Sequence, residues 1–193
     1  MRKATGRAPR THDDAAEFSV SIAQIAKAPG SRRHIHFFGE LDGLEVSGSR
    51  VPVGDQIEVD VVLESVSGGI LVTGTVKTRY EGICRRCLEP AGHELLLHLQ
   101  ELCTENPTDE ETYPLGHDLL DLAPMVHDAC ILSLPLAPLC DEGCQGICSV
   151  CGANRNFEQC RCEVERDPRW SALNLLYGGG TTGREDDTPV TNE

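Results

Sequence analysis

Between residues 57 and 64 the apolar side chains Ile57, Val59, Val61 and Leu63 alternate with Glu58, Asp60, Val62 and Glu64. A period of two puts alternate side chains on one face, so the segment predicts a strand with one buried side. Ser67-Gly68-Gly69 predicts a turn. Residues 70–80 are rich in β-branched types, and Leu95, Leu97 and Leu99 then alternate with Glu94, Leu96, His98 and Gln100. An antiparallel meander of about three strands follows from these runs. HIHFFGEL, residues 34–41, predicts a further short strand or its approach, with Ile35 to Phe38 near the core.

The period changes after Asp121. Leu122, Ala123, Val126 and Cys130 fall on one helical face and Pro135 closes the run. Pro124 is tolerated only in a first turn, which places the start near Leu122, with Asp121 as a cap. A second helix is predicted over residues 167–177, DPRWSALNLLY, which opens on an aspartate and a proline and stops at a run of three glycines. The expected class is α+β: an antiparallel β-meander covered by a helix, with a C-terminal cysteine-rich zinc knuckle and a short terminal helix. The expected organisation is a disordered basic arm (1–16), the sheet and helix core (17–139), a zinc-binding module with the terminal helix (140–177) and a disordered tail (178–193).

Composition narrows the classes. With 193 residues, 39% of them hydrophobic, the chain suits one globular domain with a small appendage. The basic N-terminus runs into no apolar stretch, and no segment approaches about eighteen consecutive apolar residues, so the expected location is the cytoplasm. The formal charge of −14 lies in the body of the chain, since residues 1–12 hold four bases and no acid. Such a body argues against sequence-independent wrapping of nucleic acid and suits a basic partner. Residues 101–121 hold seven acids and no Lys or Arg, which makes Asp109, Glu110 and Glu111 candidates for binding that partner.

Ten cysteines change the picture most. In a reducing compartment, clustered cysteines are metal ligands or redox centres more often than disulfides. Cys148 and Cys151, two residues apart and followed by Gly152, have knuckle spacing, and Cys160 with Cys162 supplies a second close pair. Four thiolates close a tetrahedral shell around Zn2+ and leave no position for water, so the site is structural. Cys84 and Cys87 form a further half-site that either joins Cys140 and Cys144 in a second metal site or remains a pair of structural thiols. Cys103 and Cys130 are most simply core. A thioredoxin-like reading of CRRC needs the dithiol at a helix start in a βαβ setting, whereas here a meander surrounds it. No phosphate loop, HExxH or nucleophile turn is present, so the chain is expected not to be an enzyme. Arg85 and Arg86, with Lys77, Arg79, Arg155, Arg161, Arg166 and Arg169, are candidates for a local basic patch on an acidic body.

The CRRCLEP segment after a hairpin, the run LSLPLAPLC, the block CQGICSVCGANRNFEQCRC and the closing DPRWSALNLL together resemble the YceD-like family of large ribosomal RNA subunit accumulation proteins. The resemblance implies an α+β domain acting in accumulation of large-subunit (23S) rRNA and in large-subunit assembly, through binding of rRNA or of a basic large-subunit ribosomal protein, with no established enzymatic activity. It also implies that the gene lies near that of a small, basic, zinc-binding large-subunit protein. Carried over residue by residue, the metal ligands are Cys148, Cys151, Cys160 and Cys162. Cys84 and Cys87 match a pair also found in members lacking the C-terminal cluster, which weighs against a site shared between them and the C-terminal cysteines. The family often shows a basic residue in place of Gln145 and a proline in place of Ser149, so the knuckle here carries less positive potential. Two other classes compete: a zinc-linked redox sensor, marked by metal release on mild oxidation, and a general protein-interaction module, marked by absence from ribosomal precursors.

Overall fold

The structure, a computed structural model, describes residues 17–107, 112–163 and 169. Its centre is the strand expected from the alternation: β4, Ile57–Val66, buries Ile57, Val59, Val61 and Leu63 completely or nearly so. Ahead of it lie β1 (Ser19–Ser21), β2 (Arg32–Gly39) and β3 (Ser49–Arg50). After it come β5 (Gly69–Ile83), β6 (Pro90–Thr104), β7 (Tyr113–Pro114), β8 (Leu119–Asp121) and α1 (Ala123–Ser133). The main sheet has the order β2-β4-β5-β6-β7, with β3 also paired to β5. All its pairings are antiparallel except β6 with β7.

Two devices set the register. Ser67 and Gly68 alone connect β4 to β5, because Val66 pairs with Gly69. A two-residue loop fixes strand pairing from that point onward. β5 and β6 then run together over nearly their whole length, from Ile70 opposite Cys103 to Ile83 opposite Pro90. The hairpin therefore ends at residues 84–89, and it carries CRRC at its tip.

One face of the sheet is covered. α1 begins after Leu122, holds Pro124 in its first turn, and buries Ala123, Pro124, Met125, Val126 and Cys130. Asp121 accepts a hydrogen bond from the Ala123 N–H at 3.0 Å, satisfying one of the donors that a helix start leaves free. The antiparallel ribbon β1–β8 completes the cover. It brings in Phe18, fully buried, whose ring meets Phe37 edge to face at 5.2 Å. Cys103 and Cys130 are both buried in this core, where loss of hydration pushes their thiols up to about 12 and makes them inert. Phe18→Ala is expected to cost about 3–5 kcal/mol, the range for a fully buried Phe. Urea unfolding would read this as a lower midpoint at unchanged slope. An unaltered midpoint would mean that the β1–β8 ribbon adds nothing to the core.

The meander is larger than the sequence predicts. β2 covers most of the stretch expected over residues 34–41 but starts two residues earlier, because Arg32 and Arg33 continue the pairing opposite Glu64 and Leu63. The opposite face of the sheet is open and laced with polar side-chain pairs: Arg32 with Glu64 and Lys77 with Glu94 as ion pairs, and His34 with Asp60 and His36 with Glu58 as hydrogen bonds. The arms expected at 1–16 and 178–193, and the helix expected over 167–177 apart from Arg169, lie outside the described residues. Among the described residues no helix is long and apolar enough to cross a membrane.

Candidate metal centres

The β5–β6 hairpin closes with Cys84 N–H donating to the Glu89 carbonyl at 2.8 Å and Leu88 N–H donating to the Cys84 carbonyl at 2.9 Å. Leu88 takes a positive φ of 64° to make this turn. Both thiols of the tip thereby leave the same side, and the Arg86 N–H reaches the Cys84 sulfur at 3.4 Å. After α1 the chain returns to this tip. Arg85 N–H donates to the Pro138 carbonyl at 3.0 Å, and His93 Nε2 donates to the Leu139 carbonyl at 3.1 Å.

That return delivers Cys140 and Cys144. The Cys84 and Cys144 sulfurs stand 3.7 Å apart and those of Cys87 and Cys140 3.4 Å apart. All four lie within 4.8 Å of one another. A tetrahedral thiolate shell with metal–sulfur bonds of about 2.3 Å has sulfurs about 3.8 Å apart, so the spacing fits one ion. Every cysteine of the chain is free. Cys84, Cys87 and Cys144 are buried in a small cluster whose remaining members are Ala91, Leu139 and Cys140. With so little apolar surface, the cluster would gain much of its cohesion from an ion bridging the four sulfurs.

The structure thus joins the two pairs that the resemblance kept apart. The reason is the register of the hairpin, which brings residues 84–87 to the level where the chain emerges from α1.

The second set is local. Cys148 N–H donates to the Ala153 carbonyl at 2.8 Å and Gly152 N–H to the Cys148 carbonyl at 2.9 Å, which folds residues 148–152 into a knuckle. Gly152 has φ +75°, the left-handed conformation that this turn requires and that a side chain would disfavour. Cys160 and Cys162 bring the other two sulfurs, again within 4.8 Å of all the rest. Cys148 is buried and Cys151 exposed, so this site reaches the surface while the first is enclosed.

Within each set the thiols differ in acidity in a way that suits a cation. Burial opposes ionisation of Cys84, but backbone N–H groups of Cys140, Cys87 and Arg86 outweigh it and bring the thiol down to about 6. Cys148 also falls to about 6, through the N–H groups of Cys151 and Val150. Cys144 is lowered, first by the side-chain amide of Asn156. The later protons resist: Cys140 is pushed up to about 12 by its contact with the Cys87 thiol and by burial, and Cys162 likewise by Cys151 and burial. Further thiolates beside the first need the positive charge of a bound metal ion. Either set can hold one.

Arg85 is exposed at the hairpin tip. The Arg86 guanidinium donates through one nitrogen to the carbonyls of Cys144 at 3.1 Å and Glu142 at 3.4 Å and so braces the loop that carries Cys144, while the residue as a whole stays exposed. Lys77 and Arg79 sit on the open sheet face, paired with Glu94 and Asp55, so they do not converge on the cysteine sites. Asp109, Glu110 and Glu111 lie outside the described residues. No motif in the sequence singles out Asn154 and Asn156. The only signal available was an amide at each end of NRN, between the two ligand pairs of the second set.

The family of the large ribosomal RNA subunit accumulation protein YceD matches residues 72–177, a span that includes both cysteine sets. An uncharacterized protein of Mycobacterium tuberculosis is 33% identical over 174 residues, covering 85% of this chain and 83% of its own. An uncharacterized protein of Mycobacterium leprae is 32% identical over 149 residues, 72% of this chain and 64% of its own. The chloroplastic large ribosomal RNA subunit accumulation protein YCED homolog 1 of Arabidopsis thaliana is 24% identical over 155 residues, 63% of this chain and 48% of its own. No solved structure matches.

Proposed function

From the premise that the chain belongs to the YceD family, we propose that it is a non-enzymatic factor of ribosome biogenesis in the bacterial cytoplasm. In this role it promotes accumulation of large-subunit (23S) rRNA by binding a component of the large subunit during assembly. The observation that carries this reading is the family match across both cysteine sets. Zn2+ is the ion assigned to each set, because soft thiolates in a tetrahedral arrangement select it and a closed shell serves structure. Cys148, Cys151, Cys160 and Cys162 hold one ion, and Cys84, Cys87, Cys140 and Cys144 the other.

The chemistry of the surface favours a basic ribosomal protein over rRNA as the direct partner. The net charge is −14, and Arg32, Arg50, Lys77 and Arg79 each face a carboxylate. Cations neutralised in this way release few counterions from RNA. Asp109, Glu110 and Glu111 would steer the partner, so affinity falls as added salt shortens the screening length below about 10 Å. Arg85 and Arg86, both exposed at the hairpin tip, are the candidates for a direct rRNA contact.

Depletion is expected to lower mature large-subunit rRNA relative to small-subunit rRNA and to leave large-subunit precursors accumulating. Gradient profiles and rRNA quantification read both. Unchanged subunit ratios under rapid growth and under cold stress would remove the ribosomal reading. Affinity purification at two salt concentrations, with protein and RNA both identified, decides between the partners.

A further inference from the structure

Only three residues separate Cys144, the last ligand of the enclosed set, from Cys148, the first ligand of the surface set. The loop that spans the surface set, residues 152–159, folds back over that junction. Asn156 lies at the contact. Its Oδ1 accepts the Gln145 N–H at 2.7 Å, which fixes the orientation of the amide and aims Nδ2 at the Cys144 sulfur, 3.4 Å away. Asn154 holds it there by accepting both the Asn156 N–H at 3.1 Å and Nδ2 at 2.9 Å, and donates its own amide to Glu89 of the hairpin tip at 3.4 Å. The backbone repeats the connection: Ile147 N–H donates to the Arg86 carbonyl at 3.0 Å and Arg155 N–H to the Gly146 carbonyl at 2.9 Å.

We propose that the two cysteine sites form one linked unit, in which Asn156, held in place when the surface site is filled, acts as a positioning residue for the enclosed site through its amide bond to Cys144. The link rests on the metal assignment above. A thiolate bound to a metal keeps much of its negative charge, and an amide donor aimed at it strengthens the ligand set. Losing such a support typically costs about 10–100-fold in metal affinity. The surface site closes only when Cys160 and Cys162 return to Cys148 and Cys151, and that closure pins both ends of the loop carrying Asn156. An empty surface site frees the loop and withdraws the donor. By reciprocity of binding free energies, filling the enclosed site also favours the surface site.

Cobalt tests this, because Co2+ bound to four thiolates absorbs strongly in the near ultraviolet and its release to EDTA can be followed directly. The full chain is loaded with two equivalents of Co2+ alone. In Cys148→Ser with Cys151→Ser, where only the enclosed site remains, release is expected to be about 10-fold faster than from the same site in wild type. Asn156→Ala is expected to speed release from the enclosed site by a similar factor with the surface ligands intact. Asn156→Asp separates support of the sulfur from folding of the loop. It keeps the acceptor for the Gln145 N–H but sets a carboxylate against the Cys144 thiolate, so release should be faster than in the Ala variant. If Asp behaves as wild type, Asn156 serves the loop alone and the link is overturned. Two cobalt ions whose release rates ignore all these changes would also overturn it. Uptake of fewer than two ions by wild type would instead remove the metal assignment, and the link with it.

Discussion

Cys84→Ser is expected to cut the metal content from two ions per chain to one at most and to detach residues 140–163 from the end of the sheet. The enclosed site is where two parts of the chain far apart in sequence are fastened: Cys84 and Cys87 belong to the hairpin tip, and Cys140 and Cys144 follow α1. Structural zinc sites contribute about 10–16 kcal/mol of apparent binding free energy near neutral pH in small domains. The surrounding hydrogen bonds, each worth about 0.5–1.5 kcal/mol net, are small beside that. Elemental analysis reads the loss of metal, and limited proteolysis should find a new cleavage region between α1 and Cys148.

The main sheet should survive, because its core is built from Val59, Val61, Val72, Val76 and Leu99 and shares no residue with the cysteine cluster. Cys103→Ser is the matched control: it alters a buried thiol of the core, and metal content should stay at two. A Cys84→Ser protein that keeps two ions would show that Cys84 is no ligand. Acid acts in the same direction as the substitution, since each bound thiolate must take up a proton on release, so both sites should lose metal as pH falls.

The two sites also show what a sequence discloses and what it withholds. The gathering of the surface set is legible in the sequence because its four cysteines lie close together, with a Cys-x-x-Cys spacing and a glycine where the turn needs a positive φ. The enclosed set was open to two readings, because the contacts that define it join residues 53 and 60 positions apart. No local period encodes such a meeting. It depends on the hairpin register and on where α1 returns the chain. In the same way, β4 and the buried face of α1 could be read from their periods, whereas β1 and β8, three residues each, are too short to show one. Arg86 illustrates a further limit. The carbonyls of Glu142 and Cys144 converge on one nitrogen of its guanidinium and give it a bracing role as well, and backbone acceptors leave no trace in a sequence.

Gly74→Val is expected to unfold the sheet. Gly74 lies mid-strand in β5, opposite Val61 on one side and Leu99 on the other. A Cβ there would stand 2.2 Å from the Asp60 carbonyl oxygen and 2.6 Å from the Val61 Cα. Both are backbone atoms of β4, so no rotamer change relieves the clash and the β4–β5 ladder has to open. β4 carries the most completely buried side chains of the sheet, which places the expected cost above about 4 kcal/mol, a large share of the roughly 5–15 kcal/mol that a whole domain commands. Thr73→Val, one residue earlier on the open face, should stay within about 0.5 kcal/mol and shows that a valine in β5 is not itself harmful. Far-UV circular dichroism and gel filtration read the outcome. The consequence reaches the enclosed metal site even though it lies at the far end of the hairpin, about ten residues and so roughly 33 Å along the strand. Cys84 and Cys87 are presented by β5 and β6 together, so a hairpin that no longer closes cannot offer its half of the ligands. Gly74→Val should therefore lose the ion of the enclosed site together with the sheet. A variant that unfolds by circular dichroism yet keeps that ion would show that the hairpin tip is held by its metal without the strands beneath it.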